Sequence, residues 1–279
     1  MINSFEYKMN IEEKLRAYNK EHSIKEVVFT LFFAHSIDDF SAWEKLQEKI
    51  SRKGFEKPER LSATKYTITS QNPIEIQTED TKMAGLVWQK KDLDTSALKQ
   101  SVQIRNLEEQ SFLSFHELTY KRWINFKEDY LGIIHEICSE LLSNEILVTG
   151  LNLTYIDEFE WLGGFPVQLN TVFEETSSYL SEYFFKSHYP SIDIAALINE
   201  DNSTEFLSER LAIDIQKTLP NPTIVITHTI ASSLENPQTL AVFCNENIND
   251  YLEKTHSFNK KTLIDLLRVD VQSLIKLPT

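Results

Sequence analysis

The sequence predicts an α+β fold, in which a mainly antiparallel β-sheet is packed against amphipathic helices. Apolar residues recur at intervals of three and four in some segments and alternate with polar residues in others. The strand-like segments are clustered instead of alternating singly with helices, which favours an antiparallel over a parallel sheet. The composition, 41% hydrophobic and 25% charged residues, is that of a globular protein.

The first predicted half covers residues 1–162 and opens with a helical extension over 1–23. Residues 24–33 read IKEVVFTLFF, and this run of β-branched and aromatic side chains predicts a strand. Helical spacing that ends at Gly54 predicts an amphipathic helix next. Short, partly alternating runs over 60–118 predict several antiparallel strands. The apolar stripes of the two helices are Ile11, Leu15 and Tyr18, within 9–22, and Phe40, Trp43, Leu46 and Ile50.

The first half is predicted to close with a helix over 121–142, which has an apolar stripe, and a long strand over 146–162. The pair Gly163 and Gly164, followed by Pro166, is the strongest turn signal in the chain. We therefore predict the boundary between two linked α+β halves at this point.

The second predicted half, residues 163–279, repeats the helix-and-strand theme. No repeat with a period of about 20–50 residues is present, which argues against a solenoid or a propeller. The predicted elements of this half are helices over 169–187 and 248–277 and strands over 203–217, 222–232 and 238–244.

Charge and composition exclude several functional classes. With 28 Lys and Arg against 42 Asp and Glu, the net charge is −14, which argues against direct binding of nucleic acid. No secretory signal and no apolar run of about 18 residues is found, so we expect a cytoplasmic protein without membrane contact. The six glycines form no phosphate-binding loop, and we predict no cofactor.

The two cysteines, Cys138 and Cys244, are far apart in the sequence and form no metal-binding or redox motif. Cys138 lies in an apolar-periodic segment, which is typical of a buried free thiol. We therefore expect no metal site and no cysteine nucleophile.

Four side chains are candidates for a ligand site in a cleft between the halves. His35 lies between a predicted strand and a predicted helix, where side chains at strand ends face clefts. His116 and His228 lie within predicted strands, where a histidine is more often a structural residue with satisfied hydrogen bonds. Glu158 is the fourth candidate, because a carboxylate can contribute to acid–base chemistry. None belongs to a catalytic motif, and we assign no catalytic residue.

Glu158 belongs to an acidic cluster, with Asp157 and Glu160, near the end of the long strand over 146–162. Paired carboxylates can hold a hard cation. In a protein with a net charge of −14, we expect instead that this cluster is a solvated strand end.

Four segments together resemble a family of sporadically distributed, uncharacterised bacterial proteins of about this length. The resemblance covers residues 24–277, so the N-terminal extension is outside it. The four segments are the strand IKEVVFTLFF, the helix start Trp123-Ile124-Asn125-Phe126, the strand LNLTYIDEF at 151–159 and the closing helix from His256 to Ile275. The resemblance implies no established enzyme activity and no catalytic residues, and it fits genes that travel in mobile defence or toxin–antitoxin loci.

Two functional hypotheses follow from the sequence. The first is a non-enzymatic accessory protein that acts through contacts with another protein, such as a basic or nucleic-acid-processing one that the acidic surface attracts. The alternative is a sensor or hydrolase that binds a small molecule or nucleotide between the halves. The oligomeric state is left open.

Overall fold

The chain has the predicted α+β fold, with a large antiparallel sheet and helices packed against it. The computed structural model describes residues 11–37, 39–64, 66–69, 75–78, 81–107, 109–141, 146–199 and 206–277. Within these ranges, no helix is both long enough and apolar enough to cross a membrane.

Twelve strands lie in the described part of the chain. Their bounds are β1 Leu15–Ala17, β2 Ile24–Phe33, β3 Glu59–Ala63, β4 Tyr66–Thr69, β5 Glu75–Thr78, β6 Lys82–Lys91, β7 Leu98–Leu107, β8 Gln110–Glu117, β9 Leu147–Trp161, β10 Ser191–Asn199, β11 Phe206–Gln216 and β12 Thr223–Thr239.

Eight α-helices accompany the strands over the same ranges, and a single 3-10 turn precedes β1 at Ile11–Glu13. The helices are α1 Ser41–Glu44, α2 Gln47–Ser51, α3 Trp123–Leu141, α4 Leu169–Val172, α5 Glu182–Lys186, α6 Leu240–Glu246, α7 Ile248–Leu266 and α8 Val269–Leu274.

Strand β9 holds the centre of the main sheet. The order of the strands is β10-β11-β12-β9-β2-β8-β7-β6-β3, and β1 pairs with the end of β9 beyond β2. Leu151 is paired with Leu31 of β2, and Leu153 is paired with Ile230 of β12. β4 and β5 form a separate hairpin. The sheet therefore continues without interruption from the early strands to the late ones.

The order of elements is repeated along the chain. A strand, two short helices, a set of antiparallel strands and a long helix follow each other over 24–141. The same order returns over 147–266, with the additional short helix α6 before the long helix α7. The second copy begins at β9, which pairs with the first strand of the first copy. The division into halves at residue 162 stays a prediction.

Two groups of buried apolar side chains form the core, on the helix-covered face of the sheet. Cluster 1 joins β2, β6, β7, β8 and part of β9 to α1, α2, α3, α6 and the start of α7. Cluster 2 joins the end of β9, β11 and β12 to α4, α5, the end of α7 and α8. Their large members include Phe29, Trp43, Phe115, Tyr130 and Phe243 in cluster 1, and Phe159, Trp161, Phe173, Leu211 and Leu266 in cluster 2.

The predicted helix over 9–22 is wrong within the described residues. Leu15 and Ala17 are buried on either side of the exposed Arg16, which is the alternation of a strand. They belong to β1, whose backbone pairs with β9 at Trp161 and Phe159. Backbone pairing with the part of the β9 edge that β2 does not cover thus determines the conformation of this segment, in spite of its helical spacing.

Other elements differ from prediction in the second half. Only α4 and α5 form within 169–187, because Ser177 and Ser178 between them bind Asp265 instead of continuing a helix. The predicted strand over 238–244 is largely helix α6, which is capped by the Thr239 hydroxyl. β10 is an additional strand, and the predicted helix over 248–277 is divided into α7 and α8.

Candidate functional site: a polar seam in the core

Between clusters 1 and 2 the core is polar. Six buried side chains from β9, β11, β12 and α7 fill this layer, and we call them the polar seam. Its members are Asp157, Glu209, His228, His256, Asn259 and Thr262. Buried ionisable and polar groups at this density need partners, because an unpaired polar group in the core lowers stability.

Local periodicity places these groups in the core. On β9, every second residue faces the helices, so Asp157 lies between Tyr155 of cluster 1 and Phe159 of cluster 2. On α7, the buried stripe runs from Leu252 in cluster 1 to Leu263 in cluster 2. The seam residues of α7 occupy the stripe positions between these two leucines, where an ordinary amphipathic helix is apolar.

His228 is the centre of the seam's hydrogen bonds. Its Nε2 lies 2.8 Å from Glu209 Oε1, and its Nδ1 lies 2.6 Å from Asn259 Oδ1. Both ring nitrogens are thus within hydrogen-bond distance of a side-chain oxygen. The pair of His228 and Glu209 is almost completely buried.

Glu209 is held by further donors. The hydroxyls of Thr262 and Tyr179 each donate to Oε1 at 3.0 Å. Burial acts to raise the pKa of Glu209, but the hydrogen bond and charge of His228 outweigh it, and the pKa lies below its ordinary value. The loop that carries Tyr179 is anchored to α7, because Asp265 accepts the backbone N–H and the hydroxyl of Ser178.

Asp157 has fewer hydrogen-bond partners than Glu209. It is 1% exposed, and its Oδ1 accepts a hydrogen bond from the Ser23 hydroxyl at 2.6 Å. Its Oδ2 has no hydrogen-bond partner among the described residues. Burial raises the pKa of Asp157 to about 6. A carboxylate with one free, buried oxygen is an acceptor available to a molecule from outside the chain.

His256 is the second incompletely satisfied group of the seam. Its Nδ1 lies 2.7 Å from the Tyr155 hydroxyl, and its Nε2 has no partner in the described part of the chain. The ring is stacked on Trp123, with centroids 4.1 Å apart. Burial and the charge of Lys260 lower its pKa to about 4, so the ring is neutral at pH 7. In the tautomer that accepts the Tyr155 hydroxyl hydrogen at Nδ1, the hydrogen of the ring is on Nε2.

A cleft of about 510 Å³ opens beside the seam, next to the start of α3. Tyr120 forms part of its wall, and the negative charge of Asp157 adds to burial in raising the pKa of this phenol. Glu117 lies in the same wall and accepts a hydrogen bond from Gln100 at 2.6 Å. Tyr120 is thus both a wall residue of the cleft and a neighbour of Asp157 in electrostatic terms.

The four candidates from the sequence do not share one pocket. His35 is exposed after β2, and its carbonyl accepts the Ser111 hydroxyl. His116 and Glu158 alternate with core-facing residues, so they lie on the other face of the sheet, where Glu26 binds the first at 2.7 Å and Lys25 the second at 2.7 Å. His228 alone belongs to the polar seam. A binding role for the other three stays a prediction.

Five of the six seam residues were not among the candidates, and three of these five, Asp157, His256 and Glu209, are ionisable. Asp157 was expected on a solvated strand end, but β9 continues past it and buries its side chain. His256 occupies a position of the helical stripe of α7 where an apolar residue is expected. This departure from the apolar pattern can be seen in the sequence. Glu209 alternates with Leu207 and Leu211, and only the pairing of β11 with β12 brings it near His228.

Comparisons with known proteins give the following. No protein-family model matches this chain and no curated protein matches it, which is consistent with the resemblance to a sporadically distributed family. Among solved structures, the di-domain ARO/CYC StfQ from the steffimycin biosynthetic pathway is similar over 90% of this chain and 97% of that chain. The identity is 8% and the TM-score is 0.20. Across the described ranges, no group of three His, Cys, Asp or Glu side chains is placed to hold a metal ion.

Proposed function

We propose that the protein binds a small polar molecule at the polar seam, with Asp157 and His256 as its contacts. The observation that supports this is the pair of buried polar atoms, Asp157 Oδ2 and His256 Nε2, that the described residues leave without hydrogen bonds. Each such atom costs about 1–3 kcal/mol when it is left unpaired. A bound molecule that pairs with both atoms removes this cost.

The two groups define the chemistry of the ligand. At pH 7 Asp157 is mostly ionised, since its pKa is about 6, and it accepts hydrogen bonds. His256 is neutral, and in the tautomer that accepts the Tyr155 hydroxyl hydrogen at Nδ1 it offers Nε2–H as a donor. The ligand we expect therefore carries a hydroxyl, amine or amide donor for Asp157 and an oxygen or nitrogen acceptor for His256. This proposal follows the small-molecule alternative of the sequence analysis, with different residues.

We expect the ligand to reach the polar seam through the cleft at the start of α3. Its volume of about 510 Å³ is in the range of small-molecule sites. Tyr120 lines the cleft, and the charge of Asp157 raises the pKa of its phenol, so we expect this side chain to lie on the path from the cleft to Asp157. A rotation of the Tyr120 ring is then the movement that admits a ligand.

The test is native mass spectrometry of the full chain purified from its own host. We expect an added mass that is released on denaturation, and we expect both Asp157→Asn and His256→Phe to lose at least nine-tenths of it. Glu158→Gln is the matched control, because Glu158 neighbours Asp157 but lies on the other face of the sheet. A wild-type chain without added mass, whose crystals show only water at Asp157 and His256, would refute the proposal.

A second candidate function, contact with a basic protein, is favoured by one surface feature. Phe165 is 53% exposed and stacked on Tyr189 with centroids 4.7 Å apart, and Lys217 lies over the Phe165 ring. Exposed aromatic groups of this kind are frequent at the centres of protein interfaces. The net charge of −14 favours a partner of opposite charge.

This candidate is tested by titration with the purified basic products of neighbouring genes. The double variant Phe165→Ser and Tyr189→Ser should bind such a partner at least tenfold more weakly than wild type. Leu93→Ser is the control, because Leu93 is fully exposed but lies in the turn between β6 and β7. Equal affinity of the double variant and wild type would exclude this surface.

A further inference from the structure

The main sheet ends in two edge strands, β10 on one side and β3 on the other. β10 has nine residues, Ser191–Asn199, and it pairs with β11 along its whole length without a register shift. No strand in the described part of the chain pairs with the other side of β10. At about 3.4 Å per residue, β10 presents a continuous edge of backbone donors and acceptors about 30 Å long.

The opposite edge, β3, has the features with which proteins protect the edge of a sheet. It has only five residues, Glu59–Ala63, and it directly follows Pro58. Its first two side chains, Glu59 and Arg60, are charged and exposed. The register between β3 and β6 also shifts within the strand. Short length, proline, charge and an irregular register all disfavour pairing with a further chain.

β10 has none of these protections. Its sequence, SIDIAALIN, contains no proline and no lysine, and Asp193 is its only charged residue. The guanidinium of Arg210 on β11 donates to both carboxylate oxygens of Asp193, at 2.9 Å and 2.5 Å. β10 is therefore a nearly neutral edge in a chain with a net charge of −14.

The apolar side chains of β10 are only partly covered by the chain itself. Three isoleucines of β10 are half-buried and lie on the helix-covered face, because their partners on β11 are core residues at most 1% exposed. The pairs are Ile192 with Ile213, Ile194 with Leu211, and Ile198 with Leu207. On the other face, Leu197 is 78% exposed. The apolar core thus continues to this edge of the sheet and is left half-covered there.

We propose that β10 pairs antiparallel with β10 of a second copy of this chain, which joins the two main sheets into one. A two-fold axis perpendicular to the sheet relates antiparallel copies of one strand, so the helices of both copies lie on the same side. The isoleucine rows of the two copies then meet and cover each other. Because both far edges are the protected β3 strands, the assembly closes as a dimer and does not grow further.

The charge of the chain distinguishes a second copy from a basic partner at this edge. Two copies with a net charge of −14 repel each other, and salt screens this repulsion. The affinity of the dimer should therefore increase as the salt concentration rises. Pairing of β10 with a basic segment of another protein would instead become weaker with salt.

The test is sedimentation equilibrium of the full chain at about 0.05 M and about 0.5 M sodium chloride. We expect a monomer–dimer equilibrium whose dissociation constant is at least about twofold lower at the higher salt concentration. Hydrogen exchange of the wild-type chain should be slower over 191–199 in the dimer and unchanged over 59–63. A chain that stays monomeric up to about 100 µM at both salt concentrations would overturn the proposal. A dimer whose β10 amides exchange at the rate of the monomer would overturn it too.

A lysine on the edge strand provides a test by substitution. Leu197→Lys should raise the dissociation constant of the dimer at least about tenfold, because a lysine on an edge strand disfavours pairing with a further chain. Leu93→Lys is the matched control, since it makes the same change at a fully exposed leucine between β6 and β7 and should leave the dimer unchanged. Equal dimer affinity of Leu197→Lys and wild type would contradict the assignment of β10 as the interface.

Discussion

Asp157→Asn is expected to stabilise the protein at neutral pH by about 2–3 kcal/mol. Burial raises the pKa of Asp157 from an ordinary value of 3.8 to about 6. Two pKa units correspond to about 3 kcal/mol of preference for the protonated form in the folded state. Asparagine keeps an oxygen for the Ser23 hydroxyl and carries no charge, so it removes the cost of a buried carboxylate.

The sign of the pH dependence distinguishes this effect from a general gain in packing. The folded state holds the Asp157 proton more tightly than the unfolded state. The stabilising effect of that proton is fully present below pH 3.8 and is lost as the pH rises through about 6. The variant should therefore exceed wild type at pH 7.5 and match it at pH 4 in urea unfolding.

Glu158→Gln is the matched control for this measurement, since Glu158 forms a partly exposed ion pair with Lys25 and should change stability little at either pH. Equal stability of Asp157→Asn and wild type at pH 7.5 would mean that the carboxylate is satisfied by something in the unliganded protein. A carboxylate that lowers stability, and whose replacement abolishes binding, is the trade-off expected of a binding residue.

Glu209→Gln should have the opposite effect and lower stability by about 3 kcal/mol at pH 7, because it replaces the buried carboxylate to which His228, Thr262 and Tyr179 are hydrogen-bonded. The pKa of Glu209 is lowered on folding. Its contribution is therefore present above the unfolded-state pKa of 4.5 and is lost as the pH falls through the lower folded value. The difference from wild type should shrink below pH 4.5 in the same unfolding assay.

The pair can be isolated with a double-mutant cycle. His228→Gln alone removes the ring that is hydrogen-bonded to Glu209, and the double variant with Glu209→Gln should lose less stability than the sum of the two single variants. Glu182→Gln is a matched exposed control, because the Glu182–Lys186 pair lies on the surface and should contribute nothing measurable. Additive losses at Glu209 and His228 would show that the two groups do not interact.

The helices and strands of the fold could be predicted from the sequence wherever a single periodicity dominated a segment. The strand over 24–33, the helix over 121–142 and the strand over 146–162 each correspond to an observed element, β2, α3 and β9. Their bounds differ from prediction by only a few residues. The segment over 9–22 failed because its helical spacing competes with an edge of β9 that no local pattern reveals.

The candidate site could be predicted much less well from the sequence, because it depends on contacts between segments that are distant in the sequence. Asp157 looks like its exposed neighbours Glu158 and Glu160 until the length and central position of β9 are known. His256 interrupts the apolar stripe of a predicted helix, but the stripe alone does not show which strand of the sheet this face of the helix contacts.

The central position of β9 has a consequence for any attempt to divide this protein. β9 uses one edge for β12 and the other for β2 and β1. A fragment that stops before residue 147 would expose the long, β-branched edge of β2, and a fragment that starts there would expose the edge of β9. Unpaired strand edges of this kind form hydrogen bonds with further chains, so both fragments would be prone to self-association. In the intact molecule these edges of β2 and β9 are paired with each other.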